Sequence, residues 1–186
     1  MTKKRPQLDK PVHWQPFRLD DVTYDLSHLD SHVVELVHTA QGDKAAITYR
    51  FHVTYSFHCF AKAYPEQSEE DRKRLEYVTH KEARPFCFKR YELSKNLPEI
   101  VENLDSAKLI FHAGYESFAV CEVKNLDGDD VDYFVNFVAY REKKKLRLHI
   151  KSAYPLDEKL GKVKKVNIFA IARAVLQNKP LPKPQK

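Results

Sequence analysis

The sequence predicts an α+β fold, a twisted antiparallel sheet of five or six strands with helices packed on one face. Residues 50–59 alternate polar and apolar side chains without a break, which is typical of a half-buried strand. Four more strand candidates follow one another after residue 107, with short turns between them. Apolar residues at helical spacing mark the segments 94–104 and 162–176.

The chain has 186 residues, of which 42% are hydrophobic, and this length and composition suit one ordinary domain with appended ends. We predict an N-terminal arm at 1–30, the α+β domain at 31–160, and a basic helix with a Pro- and Lys-rich tail at 161–186. Within the arm, Pro6, Pro11 and Pro16 interrupt any regular period, and Trp14 with Phe17 supplies aromatic side chains to pack on the domain.

The first half of the domain is predicted from local patterns. Residues 33–38 form a first strand, 41–44 its hairpin turn, and 46–62 the alternating strand. A charged helix over 68–78 begins at Ser68, which is suited to cap it. Residues 84–92 are predicted as a strand, and 94–104 as a helix.

The second half reads as an antiparallel meander. Its strands are predicted at 108–113, 117–124, 131–141 and 146–154, with a hairpin turn at 125–128. Pro155 ends the last strand, the amphipathic helix over 162–176 follows, and 178–186 is expected to be disordered.

The charge is distributed unevenly. Residues 141–186 contain 14 Lys or Arg and three acidic residues, whereas the rest of the chain is net acidic. This asymmetry indicates a polyanion such as RNA, or an acidic protein, as partner. A solvated tail that only aids solubility is the alternative.

Several protein classes are disfavoured. No apolar run approaches the length of a membrane span, and the basic N-terminus lacks the apolar stretch of a secretory signal. Three widely spaced cysteines suit a reducing cytoplasm. With four glycines and no metal-ligand or nucleotide-binding motif, neither a metal nor a cofactor is expected.

The polar face of the alternating strand carries Arg50, His52, Thr54, Ser56 and His58. Histidine suits proton transfer near neutral pH, and arginine stabilises phosphate charge, so this face fits RNA cleavage without a metal. His52 and His58 lie about 20 Å apart along an extended strand, too far to flank one phosphate. We select His58, which is nearer the strand end. A structural histidine is the alternative.

The final strand ends in Ser152-Ala153-Tyr154-Pro155. This S/T-x-Y-P ending resembles the endoribonuclease toxins of the barnase–EndoU–colicin–RelE group, over roughly residues 33–154. The resemblance implies an endoribonuclease whose cleft combines a His, a Lys or Arg, and the Ser or Thr and Tyr of the last strand. It also implies a cognate antitoxin or immunity protein. Carried over, the catalytic residues are His58, Arg90 (or Lys89), Ser152 and Tyr154.

In these roles His58 is the acid or base, Arg90 the transition-state cation, Ser152 a phosphate contact, and Tyr154 a positioning or stacking group. Strict alternation, however, places Ser152 and Tyr154 on the face of the apolar residues. Either a bulge near the strand end reconciles this, or the site uses His149 and Lys151. The predicted substrate-binding residues share basic or imidazole side chains: Arg50, His52, Lys89, His149 and Lys151.

The alternative function is a non-catalytic binding module, in which the sheet is a scaffold. The basic C-terminal region then binds nucleic acid or an acidic protein, with affinity that falls steeply with salt.

Overall fold

A computed structural model of the chain describes residues 12–40, 42–43, 45–107, 109–114 and 117–182. It confirms the α+β class and a sheet of six strands. The strands are β1 Phe17–Leu19, β2 Val22–Tyr24, β3 His32–His38, β4 Ile47–Tyr55, β5 Glu76–Val78, β6 Ala83–Pro85, β7 Ile110–Gly114, β8 Ser117–Leu126, β9 Asp129–Glu142 and β10 Lys145–Pro155. The helices are α1 Glu69–Arg74, α2 Phe88–Ser94, α3 Leu97–Glu102 and α4 Ile168–Leu176.

The six strands lie in the order β3-β4-β10-β9-β8-β7. Neighbouring strands are antiparallel except β4 and β10, which are parallel. Parallel neighbours require a long crossover, and here the whole of 56–144 separates the two strands. The carboxyl ends of β4 and β10 therefore meet at one edge of the sheet and their amino ends at the opposite edge.

One face of the sheet carries the main core. Phe51, Val53, Leu148 and Ile150 are fully buried there, together with apolar residues of α2, α3 and α4. The alternation predicted for β4 is therefore correct up to its end. The opposite face holds a smaller cluster around Phe111, Ala119 and Phe134, to which Tyr154 and Leu160 add cover.

The alternating strand is shorter than predicted. It ends at Tyr55, and Phe57–Cys59 forms a 3₁₀ turn, so His58 lies on a turn and not on the strand. The Ser56 hydroxyl accepts the His58 amide at 3.3 Å, and the Ser56 amide donates to the Ile150 carbonyl at 2.8 Å. This local side-chain bond turns the backbone although the polar–apolar alternation continues.

The strand predicted over 84–92 is wrong beyond Pro85, because α2 begins at Phe88 and carries Arg90. Helical spacing buries Tyr91 and Ser94 on the same side, and this tertiary packing overrides the β-propensity of the aromatic residues. Within the predicted helix 94–104, Leu97 and Ile100 are buried in α3 as expected.

Other boundaries also shift. The Ser68 hydroxyl accepts the Asp71 amide at 3.0 Å, which confirms the predicted cap, but α1 ends at Arg74 and β5 follows. The C-terminal helix begins only at Ile168, after Asn167 accepts the Phe169 amide at 2.7 Å. Residues 1–11 of the arm, positions 41 and 44 of the predicted turn, and the tail from 183 lie outside the described residues.

Candidate functional site

A cleft of about 410 Å³ lies at the edge where the carboxyl ends of β4 and β10 meet. The arm at 12–15, the segment 54–57, the β5–β6 hairpin at 77–82, and His149 line it. Pairing of β4 with β10 sets Thr54 opposite His149, so the parallel junction brings these two distant segments to one site.

His149 is the deepest imidazole of the cleft. Its Nδ1 is hydrogen-bonded to Thr54 Oγ1 at 3.0 Å, and Thr54 itself is buried. Burial, together with the smaller effects of the positive charges of Lys151 and Lys81, lowers the pKa of His149 to about 4 against the opposing effect of a hydrogen bond with Thr54. His149 is therefore neutral at pH 7, and its side chain lines the cleft.

His58 lies beside the cleft on the 3₁₀ turn. Its Nε2 is 3.8 Å from Glu82 Oε1, and Glu82 lines the cleft. Burial lowers the pKa of His58, Arg84 lowers it further, and the Glu82 carboxylate acts in the opposite direction. The positive charge of His58 also contributes, less than Lys151 and Lys81 do, to lowering the pKa of His149.

The β5–β6 hairpin, which the sequence reasoning missed, supplies Lys81 and Glu82 to this cleft. Its turn is closed by Thr79, whose amide and hydroxyl both donate to the Glu82 carbonyl. The signal was present in the β-favouring run Tyr77-Val78-Thr79, which follows directly on the charged helix. Its three-residue strands are too short to show a clear period.

Aromatic and charged groups of the arm cover the other side of the cleft. Trp14 packs edge-on against Phe60, with ring centroids 5.1 Å apart, and Tyr77 donates to the Gln15 carbonyl at 2.8 Å. His13 Nδ1 is 2.7 Å from Asp30 Oδ2. These contacts anchor 12–15 as a wall of the cleft.

Arg90 is buried and contacts the backbone of the His58 turn. Its Nη1 donates to the His58 carbonyl at 2.6 Å, and its guanidinium lies 5.3 Å from the centre of the Tyr154 ring. Arg90 thus contacts both the backbone of the His58 turn and the ring of Tyr154. In this geometry Arg90 is a positioning residue for the His58 turn.

β10 contains a bulge, which was one of the two alternatives offered for the placement of Ser152 and Tyr154. The register against β9 shifts between Ile150 and Ser152, so Lys151 is the extra residue. Ser152 and Tyr154 consequently leave the face of Ile150, and Tyr154 packs on Phe134 of the second cluster at 5.2 Å. Neither Ser152 nor Tyr154 is among the cleft-lining residues.

The remaining predicted binding residues lie elsewhere. Arg50 and His52 line a separate pocket at the amino ends of β4 and β10. Lys89 is exposed on α2, beside a shallow cavity that Asp127 and Asp129 also line. Lys151 is exposed at the β10 bulge and lines none of these sites, so of the predicted binding set only His149 lines the cleft.

A serine and a histidine outside the cleft have the arrangement of a hydrolase pair but not its chemistry. His28 Nε2 is 2.8 Å from Ser94 Oγ. The Ser94 hydroxyl is fully buried and donates to the Tyr91 carbonyl at 2.7 Å, so its proton already has an acceptor and its oxygen has no access to a substrate. We assign this pair a structural role.

The described residues contain no group of three or more His, Cys, Asp or Glu side chains placed to hold a metal ion. The three cysteines are free thiols. Among the helices of the described part of the chain, none has the length and apolar character that a membrane crossing requires.

Fold and site together define an α+β protein with a histidine-containing cleft at the parallel junction of a mixed six-stranded sheet. The YjaZ family model matches residues 16–176, and the chain belongs to the YjaZ family. It is 49% identical over 175 residues to Protein YjaZ of Escherichia coli (strain K12), which covers 93% of this chain and 96% of that protein. Among solved structures, none matches the chain significantly. Since the family description names no activity, the resemblance to the endoribonuclease toxins stays a prediction.

Proposed function

We propose that the chain is a metal-independent endoribonuclease of the bacterial toxin type that acts in the cleft. The observation that carries this proposal is that His149 lines the cleft together with Lys81, while His58, beside the cleft, lies 3.8 Å from the lining residue Glu82. Cleavage of RNA through its 2′-hydroxyl needs one group to accept a proton and one to donate it, and imidazole suits both tasks.

The environments of the two histidines suggest their roles. His149, neutral at pH 7, accepts the proton of the 2′-hydroxyl, whose oxygen attacks the adjacent phosphorus. The bond from phosphorus to the 5′-oxygen breaks, and the protonated form of His58, which Glu82 favours against the larger opposing effects of burial and Arg84, protonates that oxygen. The products are a 2′,3′-cyclic phosphate and a free 5′-hydroxyl. Lys81 stabilises the charge that develops on the phosphorane.

The other predicted residues support this site. Arg90 holds the His58 turn through the backbone carbonyl, and Lys151 contributes positive potential at His149. Trp14, which is only partly buried in the cleft wall, offers an aromatic surface for base stacking. Ser152 and Tyr154 keep their predicted roles only if the bound RNA strand extends beyond the cleft. We propose a cytoplasmic location, with RNA as substrate and a cognate inhibitor protein as partner.

The test is cleavage of a labelled single-stranded RNA by the purified chain in the presence of EDTA. We expect cyclic-phosphate ends by mass spectrometry, and no cut where a 2′-deoxynucleotide replaces the attacking one. His149→Gln should lower the rate by at least about 100-fold. His38→Gln is the matched control, because His38 contacts Phe169 outside the cleft. Cleavage that EDTA abolishes, or that His149→Gln leaves intact, contradicts the proposal.

The binding module remains the second candidate, and one observation favours it. Residues 161–165 are all exposed and include three lysines, so a basic strip lies on the surface before α4. Strong, salt-sensitive RNA binding by a chain that leaves RNA intact supports this candidate over the first.

A further inference from the structure

A second pocket, of about 470 Å³, lies at the amino ends of β4 and β10, opposite the cleft. Arg50, His52, Lys144 and Lys145 are its charged and titratable lining residues, and the uncharged ones are Thr48, Tyr49, Leu146 and Leu176. None of these described lining residues is acidic. We call this site the basic pocket.

The carboxylates nearest to the basic pocket do not neutralise its positive charge. Glu35 approaches Arg50 only at 3.8 Å, between two largely exposed side chains, and such pairs are weak. Glu142 pairs with Arg147 at 3.1 Å, deeper in the sheet. The pKa of His52 is lowered by burial and then by Arg147, Lys145 and Arg50, which reports the same excess of positive charge.

The turn that carries the lysines is a second observation. Glu142 pairs with Lys145 across a two-residue loop, in which Lys143 has φ of 47° and Lys144 φ of 66°. This geometry favours Asn-Gly or Asp-Gly, and the β8–β9 turn does use Asp127-Gly128. Lysine is unfavourable in these conformations, and residues kept in such conformations often serve function; of the two turn lysines, Lys144 lines the basic pocket.

We propose that the basic pocket binds a phosphate group of the RNA strand whose scissile bond lies in the cleft. This rests on the proposed function for the identity of the strand. Arg50 and Thr54 are four residues apart on β4, about 13 Å, which a few nucleotides of single strand span. Arg50 and Lys145 supply the phosphate contacts, and His52 lies between the two sites on the same strand face.

The experiment measures binding of a labelled single-stranded DNA of about a dozen nucleotides, which lacks the attacking hydroxyl and stays intact. Arg50→Gln with Lys145→Gln should raise Kd at least about five-fold and reduce the salt slope by about 1. The matched control is Arg18→Gln with Lys73→Gln, which removes the same charge from exposed positions of β1 and α1. Lys144→Gln alone, on the exposed turn, provides a second pocket variant.

The outcomes separate this inference from the proposed function. If the pocket variants bind like the control, the inference is overturned, whether or not RNA is cleaved. If wild-type chain never cleaves RNA but the pocket variants lose strand binding, the phosphate site stands and the catalytic proposal falls. If a nucleoside monophosphate competes as well as the oligonucleotide does, the pocket is a small-molecule site and the inference is again overturned.

Discussion

The two ends of the β4–β10 strand pair differ in burial and in charge. At the carboxyl end, His149 is partly buried beside Thr54, and the cleft lining contains both Lys81 and Glu82. At the amino end, Arg50, Lys144 and Lys145 are exposed, and no described acidic residue lines the pocket. One strand pair thus combines a site suited to proton transfer with a site suited to holding an anion.

The boundary between the two ends is a buried ion pair, and breaking it should have the largest effect on stability. Arg147 Nη2 is 3.1 Å from Glu142 Oε2, with side chains 6% and 18% exposed. Glu142→Gln leaves a buried guanidinium without its anion, so we expect a loss of about 3 kcal/mol in the free energy of unfolding. Urea denaturation measures it.

The matched control is an exposed pair, Lys95 with Glu92 at 2.6 Å. Glu92→Gln should cost less than about 1 kcal/mol. Adding Arg147→Met to Glu142→Gln should recover part of the loss, because it removes the unpaired charge. Equal costs at the two pairs would contradict the view that Arg147 is desolvated between the two ends.

The sequence predicted the amino end of the β4–β10 strand pair better than its carboxyl end. The polar face of β4, with Arg50 and His52, followed from a period of two, and so did the meander and its Asp127-Gly128 turn. The cleft did not follow, because Thr54 and His149 are 95 residues apart in sequence. Their contact depends on the parallel junction, which no local period encodes.

Local competition explains the remaining errors. The Ser56 side chain ends β4 within an unbroken alternation, and packing of Tyr91 makes a helix of a segment with strand-like composition. For the last strand, the alternatives were a bulge or a site at His149 and Lys151. The structure has the bulge, at Lys151, and also places His149 in the cleft.

The buried imidazole of the cleft should make stability depend on pH. The pKa of His149 falls from 6.5 to about 4 on folding, mainly through burial. Between these values the unfolded chain binds more protons, so the free energy of unfolding decreases as pH falls through that window. We expect His149 to contribute a loss of up to about 2 kcal/mol between pH 7 and pH 5.

The measurement is urea unfolding of wild-type chain and His149→Gln at both pH values. The variant should lose less stability on acidification, although His58, whose pKa burial also lowers, keeps part of the dependence. His52 offers the comparison with the other end, since His52→Gln should change the pH dependence less than His149→Gln does. An equal change in both variants would contradict the view that His149 is more buried than His52.

The smallest effect concerns the lysine turn of the basic pocket. Replacing Lys143-Lys144 with Asn-Gly (K143N with K144G) provides residues that tolerate the positive φ of both positions. We expect the free energy of unfolding to rise by about 1 kcal/mol, while oligonucleotide binding weakens through loss of charge. Thermal denaturation and fluorescence anisotropy measure the two quantities on the same samples.

The control is Asp127→Asn in the β8–β9 turn, which keeps a turn-favouring residue at φ of 54° and should leave both quantities nearly unchanged. Opposite signs for stability and binding in the lysine-turn variant mean that the two lysines are retained for the anion and at the expense of the hairpin. A variant that gains stability and binds the strand as wild type does would separate the turn from the basic pocket. The positive φ values would then be a property of the hairpin alone.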